Sequence, residues 1–294
     1  MAAGQTSVIE QEITNRLGGG CIESALDQLV DDKLREVNSV KIITDLNRVA
    51  ESLGVKRVVM QPLPCDGYLR PLDDSGYEIG ISSSAPKTRQ RFSFAHELAH
   101  AIIHQLVPET RSFANRNVFL PPGHESEERL CDRIAARLLM PREHFEQQLE
   151  SVPFGLQCIE DLAGRFGVSL SAAAIRIKEI KKIDFAFMFA DEAVVRNKRA
   201  ISVRRMIVDF RYGRLGLRSG DVFQGEGDVR FDVDSREGEG SVWVKITNIR
   251  RLLRVYWRPV SSSQQMGWKL IFSKSQITNE FASKKETARK NRLA

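Results

Sequence analysis

The run Arg91-Phe92-Ser93-Phe94-Ala95-His96-Glu97-Leu98-Ala99-His100 narrows the possible folds more than any other stretch of the chain. Residues four apart on an α-helix project from the same side, so a helix here sets two imidazoles next to each other. Such a pair can share one Zn²⁺, and Glu97 between them stands where a general base would stand. This is the H-E-x-x-H arrangement of zinc peptidases. Three fixed positions in five residues also arise by chance, so the reading depends on a third ligand.

The downstream candidates are His104, His124, Glu125, Glu127, Glu128, Asp132 and His144. His104 continues the four-residue spacing, but it drifts about 40° around the axis and ~6 Å along it, too far to join the same ion on a straight helix. It reads as structural or surface, and His144 as structural. Glu128 and Asp132 stand four apart on the next amphipathic helix. Glu128 fits a third ligand. Asp132 fits a hydrogen-bond acceptor for the second nitrogen of a ligating histidine, which would fix its tautomer. On spacing alone, two solvated acids satisfy the same pattern.

The stretch from Arg91 to His104, with the stretch Glu128-Arg129-Leu130-Cys131-Asp132-Arg133-Ile134-Ala135-Ala136-Arg137-Leu138-Leu139-Met140-Pro141, resembles the ImmA/IrrE family of zinc metallopeptidases. That family pairs an R-F-[ST]-x-A-H-E-x-x-H helix with E-x-x-A-[DN]-x-F-A-A-x-L-L-M-P. The resemblance spans about residues 40–182. It implies zinc held by His96, His100 and Glu128, with Glu97 as the catalytic base. It also implies a bacterial or phage origin, and cleavage of one dedicated partner, a helix-turn-helix transcriptional repressor, in a stress or mobile-element response. Cys131 stands where Ala is usual and Ile134 where Phe is usual, both read as packing changes that leave the chemistry untouched.

The surroundings agree with a two-part, α+β chain: a mainly helical, zincin-like metallopeptidase domain with a small β-sheet and a helix-turn-helix-like segment, then a β-rich domain. Spacing predicts helices over 22–36 and 40–53, a strand over 55–60, and two short strands at Tyr68–Arg70 and Tyr77–Ile81 about an Asp/Gly turn. The His96 helix should stop before Pro108, and a loop should run to about Ser126. Helices follow over 127–140, 142–150, and 159–182 with a break at Gly167. Strands are expected at 184–190, 201–210, 229–233, 242–246, 252–257 and 268–272. The boundaries are 1–39 (a helical extension), 40–150, 151–182, 183–283, and a basic disordered tail over 284–294.

No uninterrupted apolar run of ~18 residues occurs, so no membrane span is expected. Without a secretory signal, and with Cys21, Cys65, Cys131 and Cys158 scattered, the chain reads as cytoplasmic with free thiols. Residues 183–294 hold 22 Lys/Arg against 13 Asp/Glu, and residues 1–182 hold 22 against 25. The basic second half permits an anionic partner, a nucleic acid or small-molecule signal. Arg251, Arg254 and Arg258, interleaved with Tyr256 and Trp257 and near Trp243, are the candidate residues there, although an ordinary half-buried strand also explains them.

Peptide hydrolysis needs a second donor for the developing oxyanion. His124 is the candidate, with Tyr68 and Tyr77 behind it. The preceding strands, ending at Ile79–Ile81, could offer an edge to an extended substrate. Two alternatives stand beside a peptidase. One is a DNA-binding regulator reading bases with Arg176, Lys178, Lys181 and Lys182, although Ala172, Ala173, Ala174, Ile175 and Ile177 make that helix look buried. The other is a non-catalytic sensor or scaffold that keeps its zinc for stability.

Overall fold

A computed structural model describes residues 8–37, 44–72, 76–107, 124–181, 185–195, 198–208, 222–223, 238–246, 249–262 and 265–273. The chain divides into two compact units, Met1–Ser151 with Asp161–Ala172, and Val152–Glu160 with Ala173–Ala294. Helix and strand are both present in quantity, which makes the chain α+β.

The first unit contains α1 (Val8–Arg16), α2 (Ile22–Glu36), α3 (Leu46–Ser52), β1 (Val55–Gln61), β2 (Gly67–Pro71), β3 (Tyr77–Ser82), α4 (Lys87–Leu106), α5 (His124–Leu139) and α6 (Arg142–Glu150). Helix α5 starts at His124, three residues before the periodicity suggested. The sheet runs in the order β1-β3-β2, with β1 parallel and β2 antiparallel to β3. Strand β3 is therefore paired on both sides, so of the preceding strands expected to offer an edge, β2 has one and β3 does not. The edges are β1 and β2.

Alternation along β3 sends Tyr77, Ile79 and Ile81 toward α4, where the Tyr77 ring centroid lies 6.1 Å from that of His104. Glu78, Gly80 and Ser82 take the other face. There the Glu78 carboxylate, with its side chain only 2% exposed, pairs with the guanidinium groups of Arg57 and Arg70. It also accepts a hydrogen bond from the Tyr68 hydroxyl at 2.9 Å. The Tyr68 ring lies directly over Gly80, where a Cβ would come within 2.1 Å of it. Long side chains from the two edge strands thus close the face that α4 does not.

Helices α4 and α5 pack through a buried seam. Ala95, Leu98, Ala99, Ile102 and Ile103 come from α4, and Leu130, Ile134, Ala135 and Leu138 from α5. Helices α1 and α2 lie on the other side of α5. Leu26, Leu29 and Val30 are buried, and a charged network ties the elements together. Arg133 reaches Glu10 at 2.6 Å and also Glu23. Arg137, buried, pairs with Glu23 and meets Asp27 at 2.9 Å. Arg142 meets Asp27 at 3.1 Å. The N-terminal helices therefore pack on the peptidase helices.

After α6 come α7 (Leu156–Phe166) and α8 (Leu170–Lys181). Gly167 turns between them at φ +63°, a region where a side chain is strained. Ser169 Oγ caps α8 by accepting from the Ala172 amide at 3.2 Å. Ala173, Ala174, Ile177 and Ile180 are buried. So is Arg176, 2% exposed, with Glu179 at 3.3 Å. A guanidinium held this way is not available to base edges, so α8 loses the leading side chain of the proposed DNA-reading set. Lys182 lies outside the described residues.

The second unit carries β4 (Phe185–Val195), β5 (Lys198–Val208), β6 (Val222–Phe223), β7 (Gly238–Ile246), β8 (Ile249–Ser262) and β9 (Gln265–Ser273). They form one sheet in the order β6-β5-β4-β9-β8-β7, every described pair antiparallel. Phe185 and Phe187 are fully buried, and the Phe154 ring packs edge-on against Phe185 with centroids 5.0 Å apart. Strand β8, which carries Arg251, Arg254 and Arg258, is paired on both sides, with Arg258 opposite Lys269. The expected strand at 229–233 and the tail at 284–294 lie outside the described residues. Among the described residues no helix is long and apolar enough to cross a membrane.

Candidate metal centre

Helix α4 presents His96 and His100 toward α5, with ring centroids 5.0 Å apart. Glu128, near the start of α5, lies between the two rings. Its Oε2 is 3.1 Å from His96 Nε2 and its Oε1 is 3.3 Å from His100 Nε2. One donor atom from each of the three residues falls within 4.8 Å of the others. Ligands at ~2.0–2.1 Å from a tetrahedral zinc are separated by about 3.3 Å, so the donor set and its spacing fit that ion.

The outer nitrogens of both rings are held from α5. His96 Nδ1 lies 3.0 Å from Asp132 Oδ1, in the arrangement expected for Asp132. His100 Nδ1 lies 3.2 Å from Glu127 Oε1. Sequence reasoning named Glu127 as a candidate ligand but not as this partner. Glu127 and Cys131 are four apart on α5, and both sit beside the same ring. Cys131 Sγ is 3.3 Å from His100 Nδ1, so the departure from Ala at this position touches the site after all. Burial pushes the Cys131 thiol up to about 11.

The electrostatics follow from this packing. Burial disfavours a charged His96, but the carboxylates of Asp132 and Glu128 more than offset it and raise the imidazole to about 9. His100 is raised well above its usual value, burial again being outweighed by Cys131, Glu127 and Glu128. The two histidines hold Glu128 well below the usual carboxylate range. A protonated ring must lose its proton to ligate, so metal uptake at pH 7.5 is expected to release protons. Calorimetric titration of the metal-free protein in buffers of different ionisation enthalpy measures this. A buffer-independent heat would count against His96 and His100 as the ligands.

Glu97 is 7% exposed, and burial raises its pKa, the direction a general base would need. It lies against β2. A Cβ at position 67 would stand 2.9 Å from Glu97 Oε1 and 3.1 Å from the Gly80 carbonyl. Gly67 is therefore the residue that leaves room for this carboxylate. Gly67→Ala is expected to keep metal binding and to lower turnover by roughly 10²-fold, the cost of a misplacement of about 1 Å. Metal content measured beside peptidase rate checks both parts.

The remaining candidates separate. Tyr68 turns away from Glu97, its hydroxyl committed to Glu78. Tyr77 is buried against His104, two turns along α4 from His96. Neither faces the metal centre, which removes both as oxyanion donors. His104 is 5% exposed, so it is structural rather than a surface residue. His144 is half-buried on α6. His124 opens α5, and its side chain lies outside the described residues.

Comparison with known proteins agrees with this geometry. Residues 50–178 match the peptidase family model described as the IrrE N-terminal-like domain. The radiation response metalloprotease IrrE of Deinococcus radiodurans is 28% identical over 155 residues, which cover 50% of this chain and 45% of that protein. The match thus spans a little under half the relative's length. A solved Mycobacterium tuberculosis transcriptional regulator superposes with a TM-score of 0.50 over 90% of this chain and 79% of that one. At 15% identity it speaks for the fold alone. The region that carries the site is thus similar to metallopeptidase domains. Through residues 50–178 the chain is similar to the IrrE-type metallopeptidases.

Proposed function

We propose that this protein is a zinc-dependent endopeptidase that cleaves a dedicated protein partner, a helix-turn-helix transcriptional repressor, in a stress or mobile-element response. The peptidase domain is taken as residues 40–150 and the β-rich sensor or docking domain as 183–283. The observation that carries the reading is the convergence of His96, His100 and Glu128 beside a buried carboxylate, Glu97. Zinc at these ligands supplies Lewis-acid polarisation of water and of the scissile carbonyl.

The chain's own residues do the rest. Glu97 takes the proton of the attacking water and delivers it to the leaving amine. Asp132 and Glu127 fix the two imidazoles by their outer nitrogens. His124 is assigned the second donor to the oxyanion. It stands one turn before Glu128 on α5, on the same side by helical periodicity. The substrate backbone lies along the free edge of β2. The amide of Ser82 donates to Asp66 O at 3.0 Å, so alternation turns the backbone groups of Gly67 and Leu69 outward, beside Glu97.

The test is a survey of new protein N-termini in the host expressing either the wild type or Glu97→Gln. The expected result is cleavage confined to one or a few proteins, among them a helix-turn-helix repressor, and absent with the variant. Broad cleavage, or identical termini in both, would contradict the reading.

A further inference from the structure

The sheet has a second edge, on the far side of β3 from Glu97. The amide of Ser83 donates to Gln61 O at 2.9 Å. In a parallel ladder the backbone groups of Gln61, Val59 and Arg57 then face β3, and those of Val58 and Met60 face outward. Among the described residues no strand pairs with them.

The side chains of the same residues are unusual. Val58 and Met60 are 40% and 50% exposed, two of the three most exposed large apolar side chains in the described structure. Both line a groove between β1, α3 and the first half of α4, with Ile81, Leu46 and Phe94 as its other apolar walls and a volume of about 660 Å³. That size lies within the ~300–1,000 Å³ typical of occupied sites. An exposed edge whose outward backbone and apolar side chains belong to the same residues is arranged for strand addition: main-chain hydrogen bonds give affinity and alternate side chains enter the groove.

The charge around the groove selects the occupant. Lys87 and Arg91 line it, and Lys87 is exposed. Asp45, the carboxylate in the lining, already has Arg48 at 3.7 Å. Arg91 donates to the Thr44 carbonyl at 3.1 Å, which fixes its position at the groove wall.

We propose that the β1 edge and this groove dock an extended, acidic segment of a protein partner. The segment pairs with Val58 and Met60, places alternate apolar residues against Met60 and Phe94, and sets a carboxylate near Lys87 and Arg91. The surface is separate from the metal centre and does not depend on the peptidase reading. If that reading is right, it holds a substrate protein away from the bond being cut.

A phage-displayed random decapeptide library, panned against the full-length protein with and without chelator, tests this. Enriched peptides are expected to alternate apolar residues, to carry Asp or Glu, and to bind equally well with chelator. Their affinity should fall at least about tenfold for Val58→Lys/Met60→Lys and again for Lys87→Glu, which change exposed side chains. Absence of enriched peptides, binding unchanged in both variants, or binding that needs the metal would overturn the proposal. So would a concentration-dependent dimer abolished by Val58→Lys, since a second copy of the chain would then be the occupant.

Discussion

Glu97→Gln is expected to bind metal as the wild type does and to lose about 10³-fold or more in peptide hydrolysis. The substitution keeps the shape of the side chain while removing its charge and its ability to accept a proton, and it turns one acceptor oxygen into an NH2 donor. General base catalysis contributes typically ~10²–10⁴ to a rate, and Glu97 is assigned the proton at both ends of the reaction. Metal content, thermal unfolding and cleavage, measured side by side, separate the two rival accounts. A variant that binds metal, folds and still cuts would remove Glu97 from the mechanism. A wild type that binds metal and cuts nothing would favour the non-catalytic scaffold.

Arg137→Met is expected to cost about 3 kcal/mol of stability. Arg137 has a side chain only 3% exposed and faces Glu23 and Asp27, with Asp27 itself 12% exposed. Removing one partner of a buried pair leaves the other carboxylates desolvated without compensation, and such losses run to ~3–5 kcal/mol. The lower figure applies because Glu23 is 55% exposed and regains water. Methionine roughly preserves the volume, so a cavity is not the cause. Urea unfolding should show a lower midpoint with an unchanged slope. Asp27→Leu in the same chain should recover part of the loss, because the stranded charge is then gone. No recovery, or a loss below about 1 kcal/mol, would mean that α2 is held to α5 by Leu26, Leu29 and Val30 alone.

Much of the first unit was legible because its elements follow local rules. The four-residue spacing of His96 and His100 predicted a shared helical face, and Glu128 and Asp132 predicted another. The strands at Tyr68 and Tyr77 were marked by the Asp/Gly turn between them. What sequence did not reveal was spatial order. Nothing in the strand containing Ile79 and Ile81 says that β1 will pair on its far side, since a parallel partner is chosen by tertiary packing. The same limit applies to Cys131 and Glu127. Their contact with His100 depends on the angle at which α5 crosses α4, and spacing along one helix carries no record of that. The apolar run around Arg176 already suggested a buried helix, and the fold shows the guanidinium itself covered, with Glu179 beside it. The N-terminal carboxylates Glu10, Glu23 and Asp27 gave no sign of their partners more than a hundred residues away.

The central claim is that His96, His100 and Glu128 hold one divalent ion. Metal content of the purified chain, dialysed against zinc and then against buffer, tests it most directly, with His100→Ala and Glu128→Ala treated alike. One zinc per wild-type chain is predicted. Both variants should keep their secondary structure and lose the ion. Full zinc occupancy in Glu128→Ala, or none in a folded wild type, would contradict the account.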